Sequence, residues 1–240
     1  MGAIPARYAS TRLPGKPLLQ IAGRPMIEHV YTRVARARGL SRVVVLTDDE
    51  RIARVVEMFG GDWEMTPAEC LTGTDRIAYA ARRWRKAAAV INVQGDEPLI
   101  DPEAVSAIAA HLAAHPEDPV VTLAAEATAE EVDDPNAVKV VADRQGRALY
   151  FSRSPIPYSR QPGGATPRLH LGVYGYQRDA LLRLSDLPPT PLERSEALEQ
   201  LRALEHGIPI RVLAAERGSP SVDTREDLER VERLLAGGGN

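Results

Sequence analysis

The sequence predicts an α/β fold: a mainly parallel or mixed central sheet flanked by helices, with a β-hairpin segment inserted late in the chain. Three observations predict it. Short apolar, β-branched runs alternate with segments whose apolar residues recur at helical spacing. The runs carry no polar alternation, as expected of parallel strands covered on both faces. After about Pro135 the pattern changes to closely spaced strands, which reads as an insertion.

Only Met1, Gly2 and Ala3 precede Ile4, so either the chain starts late or the first strand is short. Met26, Ile27, Val30 and Val34 then fall at helical spacing, and RVVVLT (42–47) reads as a buried strand. Ile52, Val55, Val56 and Phe59 mark the next helix, with Gly60-Gly61 as its stop. AAVINVQ (88–94) is a second buried strand. Strand, helix, strand, helix requires crossover connections. AVKVVAD and RALYFSR predict a hairpin turning at residues 143–146. The Pro/Gly-rich residues 155–167 predict a mobile loop. LHLGVYGY reads as a strand, LERSEALEQLRALEHG as one helix closed by Gly207, and IRVLAA as a further strand. Thr224 is placed to cap a last helix, 225–235, with Asp227 near the position of a capping box. Residues 237–240 should fray. The whole reads as a single domain, 1–240, in which residues 136–177 form the inserted segment and a candidate dimerisation surface.

Composition narrows the function. With 44% hydrophobic and 26% charged residues the chain is of the soluble globular class. A net charge of −3 argues against a nucleic-acid coat or a polybasic membrane anchor. The single cysteine, Cys70, excludes an internal disulfide and a thiolate metal cluster and fits a reducing cytoplasm. No apolar run approaches the ~20 residues that span a bilayer, and the N-terminus lacks the order of a secretory signal. The expectation is a cytoplasmic protein that partners neither nucleic acid nor membrane.

The first loop, IPARYASTRLPGKPL (4–18), concentrates Arg7, Arg12 and Lys16 around Ser10 and Gly15, and no acid precedes Glu28. Such a loop opens at the carboxyl ends of the strands, where α/β proteins bind ligands. Clustered cations there suit a polyphosphate: Arg forks two oxygens and Lys acts as a mobile point charge. Three solvated surface cations are the bland alternative. The spacing is neither GxxxxGK[ST] nor GxGxxG, so neither a P-loop nor a dinucleotide fold is indicated.

NVQGDEP (92–98) ends an apolar strand in Gln94, a glycine and two carboxylates at the same sheet edge. A carboxylate such as Asp96 facing a polyphosphate calls for a hard cation between them, and Mg²⁺ takes one or two carboxylates plus phosphate oxygens. An ordinary acidic turn would look the same. Asp223 in SVDTRED stands before a helix, where Asp is a common cap; with Asp96 it could also be a second carboxylate for Mg²⁺. LTGTDR (71–76) offers Thr72, Gly73, Thr74 and Arg76 either as a nucleoside-binding loop or as a capped helix start. In HLGVYGY, His170, Tyr174 and Tyr176 alternate onto one strand face. That face suits a polyhydroxylated carboxylate, with Arg153 of YFSR as the carboxylate's partner, or else is a packed core face. Glu199 and Gln200 of LEQLR complete the set.

These motifs, in this order from Ile4 to about Val231, closely resemble the 3-deoxy-manno-octulosonate cytidylyltransferase family. "YFSR", "HLGVYGY" and "LEQLR" carry the sugar part of the resemblance. It implies a GT-A-like nucleotidyltransferase fold, a homodimer, a Mg²⁺ cofactor, and the reaction of CTP with 3-deoxy-D-manno-octulosonate (Kdo) to CMP-Kdo and pyrophosphate for lipopolysaccharide precursors. It implies that Arg7, Ser10, Arg12 and Lys16 hold the CTP phosphates and that Thr72, Gly73, Thr74 and Arg76 lie near the nucleoside. It implies that Asp96 and Asp223 bind the metal, and that Gln94, Arg153, His170, Tyr174, Glu199 and Gln200 line the sugar site. Three rivals are another 2-keto acid sugar (8-amino-Kdo or a sialic acid), a nucleotide-sugar glycosyltransferase of related fold, and a non-catalytic nucleotide-binding regulator. QGDEP is not the Asp-x-Asp motif usual in such glycosyltransferases, and a pure binder has no need of a second carboxylate.

Overall fold

The structure, a computed structural model, describes residues 1–9, 13–161 and 163–237. The chain forms two compact units, residues 1–110 with 219–240, and residues 111–218.

The first unit opens with β1 (Gly2–Ala6). A two-strand ribbon, β2 (Gln20–Ile21) and β3 (Arg24–Pro25), follows. It turns through Ala22 and Gly23, both at positive φ. Then come α1 (Met26–Val34), β4 (Val43–Thr47), α2 (Glu50–Met58), β5 (Trp63–Met65), α3 (Gly73–Ala81), β6 (Ala89–Asn92) and α4 (Pro102–Ala114). The strands pair in the order β6-β1-β4-β5, all parallel, so α1, α2 and α3 are crossover helices. All five residues of β4 are buried, which is why the segment lacks polar alternation. The predicted apolar stripe of α1 is met: Met26, Ile27, Val30 and Val34 are all buried. Asp49 caps α2 by accepting from the Arg51 N–H at 2.9 Å, and Gly60, at φ +77°, ends it.

The second unit holds β7 (Val120–Glu126), α5 (Ala129–Asp133), β8 (Lys139–Ala142), β9 (Ala148–Ser152), β10 (Arg168–Gln177), α6 (Arg178–Ser185), α7 (Pro191–Glu196), α8 (Gln200–Glu205) and β11 (Ile210–Ala214). Its strands pair in the order β11-β7-β10-β8-β9; only β11 with β7 is parallel. The β8–β9 hairpin turns where the sequence places it, with Gly146 donating to Asp143 O at 3.0 Å. β7, buried at six of seven positions, is not announced by any pattern of alternation.

One expectation is corrected here. LERSEALEQLRALEHG is not one helix: α7 and α8 are separated at Ala197, whose backbone is left-handed at φ +51°. A left-handed alanine costs roughly 1–2 kcal/mol. The break frees the Glu196 and Ala197 carbonyls, which accept from the Arg153 guanidinium at 2.7 and 3.5 Å. It also turns the Glu196 carboxylate onto Ser152 Oγ at 2.6 Å and the Arg153 N–H at 2.9 Å. Leu198 and Leu201 stay buried on either side.

The chain ends in α9 (Arg225–Gly237), which belongs to the first unit. Thr224 and Asp227 form the predicted reciprocal cap at 3.2 and 2.9 Å. Val222 and Val231 bury against Ile21 and Met26, with Leu13, Leu99, Leu228 and Leu235 packed around them. Full burial of side chains of this size contributes about 1.5–3 kcal/mol each, and here it fixes the residues beside Asp223 against those that follow the first loop.

Candidate active site

The site in the first unit is assembled at the ends of β1 and β6. After β1 the chain runs out through Arg7, which is exposed and makes no ion pair among the described residues. Ser10 and Arg12 lie outside the described residues. The loop closes where Gly15 donates to Tyr8 O at 2.9 Å. Gly15 sits at φ +70°, and a Cβ there would stand 3.1 Å from the Tyr8 ring, so both conformation and space call for glycine. Lys16 then opens a short 3-10 turn, Lys16–Leu18.

No acid stands near Lys16 in the sequence, yet the fold brings two carboxylates to it. Its Nζ donates to Asp96 Oδ2 at 2.7 Å and to Asp223 Oδ1 at 3.2 Å. Burial works against the ammonium, but the two carboxylates outweigh it, and the Lys16 pKa lies above its ordinary value. Asp96 is delivered by Gln94 and Gly95. A Cβ on Gly95 would lie 2.9 Å from Pro5 O, so glycine is what allows the loop after β6 to press against the end of β1. Asp223 is delivered from the far end of the chain, its own N–H donating to Asp227 Oδ2 at 3.1 Å.

Two carboxylates converging on one ammonium nitrogen form a hard, oxygen-only donor set. Among the described residues no group of three or more His, Cys, Asp or Glu could cage a metal. As oxygen donors the two carboxylates fit Mg²⁺, which takes one or two carboxylates together with phosphate oxygens.

The TGTDR segment divides. Thr72 and Asp75 form a capping box, with bonds of 3.0 and 3.1 Å, so the helix-start reading holds for the Thr72 hydroxyl. Gly73 stands beside Pro5 and near Gln94, where a Cβ would meet Pro5 Cγ at 3.1 Å. Thr74 is buried. Arg76 is fully buried, its guanidinium bonded to Asp48 at 2.8 Å and to the Thr66 hydroxyl. It anchors the start of α3 and offers no exposed surface to a ligand. Gln94 is half-buried, its amide 3.5 Å from Asn92 Oδ1.

The second unit carries the other predicted residues. A bulge in β10 after Leu171 inserts Gly172 and Val173 against β7. Thr122 of β7 fills it, its hydroxyl 3.2 and 2.9 Å from the Leu171 and Val173 carbonyls and 3.1 Å from His170 Nε2. Because two residues are inserted, His170, Tyr174 and Tyr176 keep a common face. Their ring centroids lie 5.2 and 5.9 Å apart in succession. Burial, with Tyr176 and Glu199 nearby, pushes the Tyr174 phenol well above its ordinary pKa. Glu199 stands immediately before α8 without a side-chain capping bond, followed by half-buried Gln200. The Arg153 guanidinium is turned onto backbone carbonyls, including Pro135 O at 2.9 Å. Sequence reasoning missed Glu196, the acid that organises Ser152 and Arg153, because nothing in its helical surroundings marks it.

His170 yields a prediction. Its ring is packed edge-on to Phe151 at 5.1 Å, and burial pushes its pKa down to about 3. The unfolded chain, with an ordinary histidine near 6.5, takes up the proton first as pH falls. The contribution is therefore intact above pH 6.5 and is lost progressively below it, by about 2 kcal/mol at pH 5. NMR of the imidazole should show a neutral ring at pH 5, and His170→Gln should flatten the acid limb of the melting curve. An imidazole titrating near 6.5 in the folded protein would contradict this.

A cytidylyltransferase family profile matches residues 1–212. The chain belongs to the cytidylyltransferase family. Among curated relatives, 3-deoxy-manno-octulosonate cytidylyltransferase of Syntrophotalea carbinolica is 52% identical, covering 98% of this chain and 97% of its own. The same-named protein of Solibacter usitatus is 51% identical, covering 98% and 94%. A solved structure of CMP:2-keto-3-deoxy-manno-octonic acid synthetase complexed with CTP superposes with a TM-score of 0.95 at 45% identity, covering 98% of each chain. The α/β class and the nucleotidyltransferase fold expected of this cytidylyltransferase sequence are both met. No helix among the described residues is long and apolar enough to cross a membrane.

Proposed function

We propose that the protein transfers CMP from CTP to the anomeric hydroxyl of Kdo, releasing pyrophosphate. The observation that carries the reading is the meeting of Lys16, Asp96 and Asp223 in a chain about half identical, over its whole length, to relatives named for that activity. The hydroxyl oxygen bonds to the α-phosphorus, the bond from that phosphorus to the α–β bridging oxygen breaks, and the hydroxyl proton goes to solvent. Arg7, Ser10, Arg12 and Lys16 hold the triphosphate and neutralise the departing pyrophosphate, and Gly73 serves the nucleoside. Asp96 and Asp223 hold Mg²⁺, which when bound supplies charge neutralisation and a lowered pKa for the sugar hydroxyl. The chain's share of catalysis is positioning and preorganised charge. In the second unit, the polar face of His170 and Tyr174, with Arg153, Glu199 and Gln200, recognises the acid sugar; in the first, Thr72, Thr74 and Arg76 act on the nucleoside through the loop they shape. The protein works as a cytoplasmic homodimer, CTP being an intracellular nucleotide, and Leu149, exposed on the β8–β9 hairpin, supports a contact surface there.

The test is pyrophosphate release with Mg²⁺ and CTP, comparing Kdo, 8-amino-Kdo and sialic acid, with ATP, GTP and UTP as nucleotide controls. Release with CTP and Kdo alone is expected. Release with CTP and another acid sugar would keep the chemistry and move the substrate; no release with any of them would overturn the reading. Light scattering should report twice the chain mass.

A further inference from the structure

The carboxyl pair poses a problem of position. Asp223 lies in a stretch with neither helix nor strand between Ala214 and Arg225, yet it must meet Asp96 within reach of one small cation. Three contacts of the first unit locate it. The buried Val222 is plugged into the cluster with Ile21, Met26 and Val231. The Val222 N–H donates to Asp96 O at 2.9 Å. Ser219 Oγ donates to Glu97 Oε2 at 2.9 Å.

Glu97 is the unusual member. The turn that follows β6 sends the two neighbours different ways: Asp96 reaches Lys16, and Glu97 is buried. A buried acid beside a second acid is a costly choice for packing alone. Its placement makes sense if the bond it accepts is what counts, because that bond and the Val222–Asp96 bond pin residues 219–222 to residues 96–97 at two points. We propose that Glu97 and Ser219 are positioning residues: their hydrogen bond clasps the segment that carries Asp223 to the segment that carries Asp96, and so sets the spacing of the two carboxylates. The inference rests on the reading of Asp96 and Asp223 as the Mg²⁺ ligands.

The test measures Mn²⁺ bound to the full protein by EPR, with CTP present and sugar withheld, alongside the Mg²⁺ dependence of turnover. Outer-shell partners of metal ligands typically change affinity 10–100-fold. Ser219→Ala and Glu97→Ala should each weaken Mn²⁺ by about tenfold, with CTP binding measured without metal unchanged. Glu97→Gln, whose amide oxygen still accepts from Ser219, should stay within about twofold of the parent. Asp96→Asn serves as the control. Loss of Mn²⁺ in the control with none in Ser219→Ala overturns the clasp alone. Glu97→Gln behaving like Glu97→Ala also overturns it, since charge rather than the hydrogen bond would then be at work. Full Mn²⁺ binding in the control overturns the metal reading and the clasp with it.

Discussion

Asp96→Asn is expected to abolish pyrophosphate release, by at least about 10³-fold, while the chain stays folded. Removing a single group that stabilises transition-state charge typically costs 10²–10³, and the substitution also takes away one of the two carboxylates proposed for Mg²⁺. The fold does not depend on that charge. The bond that ties Asp96 to the C-terminal segment uses its backbone carbonyl, which the substitution leaves in place. An asparagine oxygen can still accept from Lys16, and Asp223 keeps the ammonium paired. Circular dichroism and the melting temperature should therefore stay close to the parent's as turnover vanishes. Parent-like turnover would sink the metal assignment, and a large fall in melting temperature would mean that Asp96 serves the fold first.

How much of this was legible in the sequence follows from what each feature depends on. β4, α1 and α2 were legible because their apolar pattern is local, and so was α9, whose cap is written in Thr224 and Asp227. β7 was not: VVTLAAE, set among alanines, carries neither alternation nor a helical stripe. The break at Ala197 was not, because it depends on Arg153, more than forty residues upstream, taking the carbonyls that a continuous helix would use. The chemistry divides in the same way. The residue types of the site were plain in RLPGK, QGDEP and SVDT, since polyphosphate chemistry needs cations and paired acids. Their arrangement was not. Lys16 meets carboxylates 80 and 207 positions away, and no local rule joins them. Neighbouring Asp96 and Glu97 look interchangeable in sequence, yet one faces the site and the other the interior. Arg76 looked like a ligand for the same reason: the motif shows its charge, and only packing shows that the charge is used on Asp48.

Lys16→Met brings the two halves of that chemistry together. Lys16 is the proposed ligand of a triphosphate, and in the structure its ammonium stands between the very carboxylates proposed for Mg²⁺. An ammonium there does what a divalent cation would do: it offsets the repulsion of two acids brought together by distant parts of the chain. Methionine keeps an unbranched side chain one atom shorter and removes the ammonium. Exposed pairs contribute about 0–1 kcal/mol and broken buried ones cost 3–5. The carboxylates here are partly open, at 28% and 39% of their side-chain surface, so the loss should be about 1–2 kcal/mol. In a chain of this size that is a fall in melting temperature of roughly 2–8 °C. Turnover should drop by about 10²-fold or more for want of a cation on the phosphates. The sharper expectation concerns Mg²⁺ without nucleotide. In the parent, the cation must displace an ammonium already in place; in Lys16→Met it meets the two acids without that ammonium between them. Added Mg²⁺ should therefore raise the melting temperature of the variant more than that of the parent, and recover most of the lost stability. Equal responses in the two proteins would mean that lysine and metal do not share the site, and that the Lys16 contacts are incidental to how the carboxylates are held.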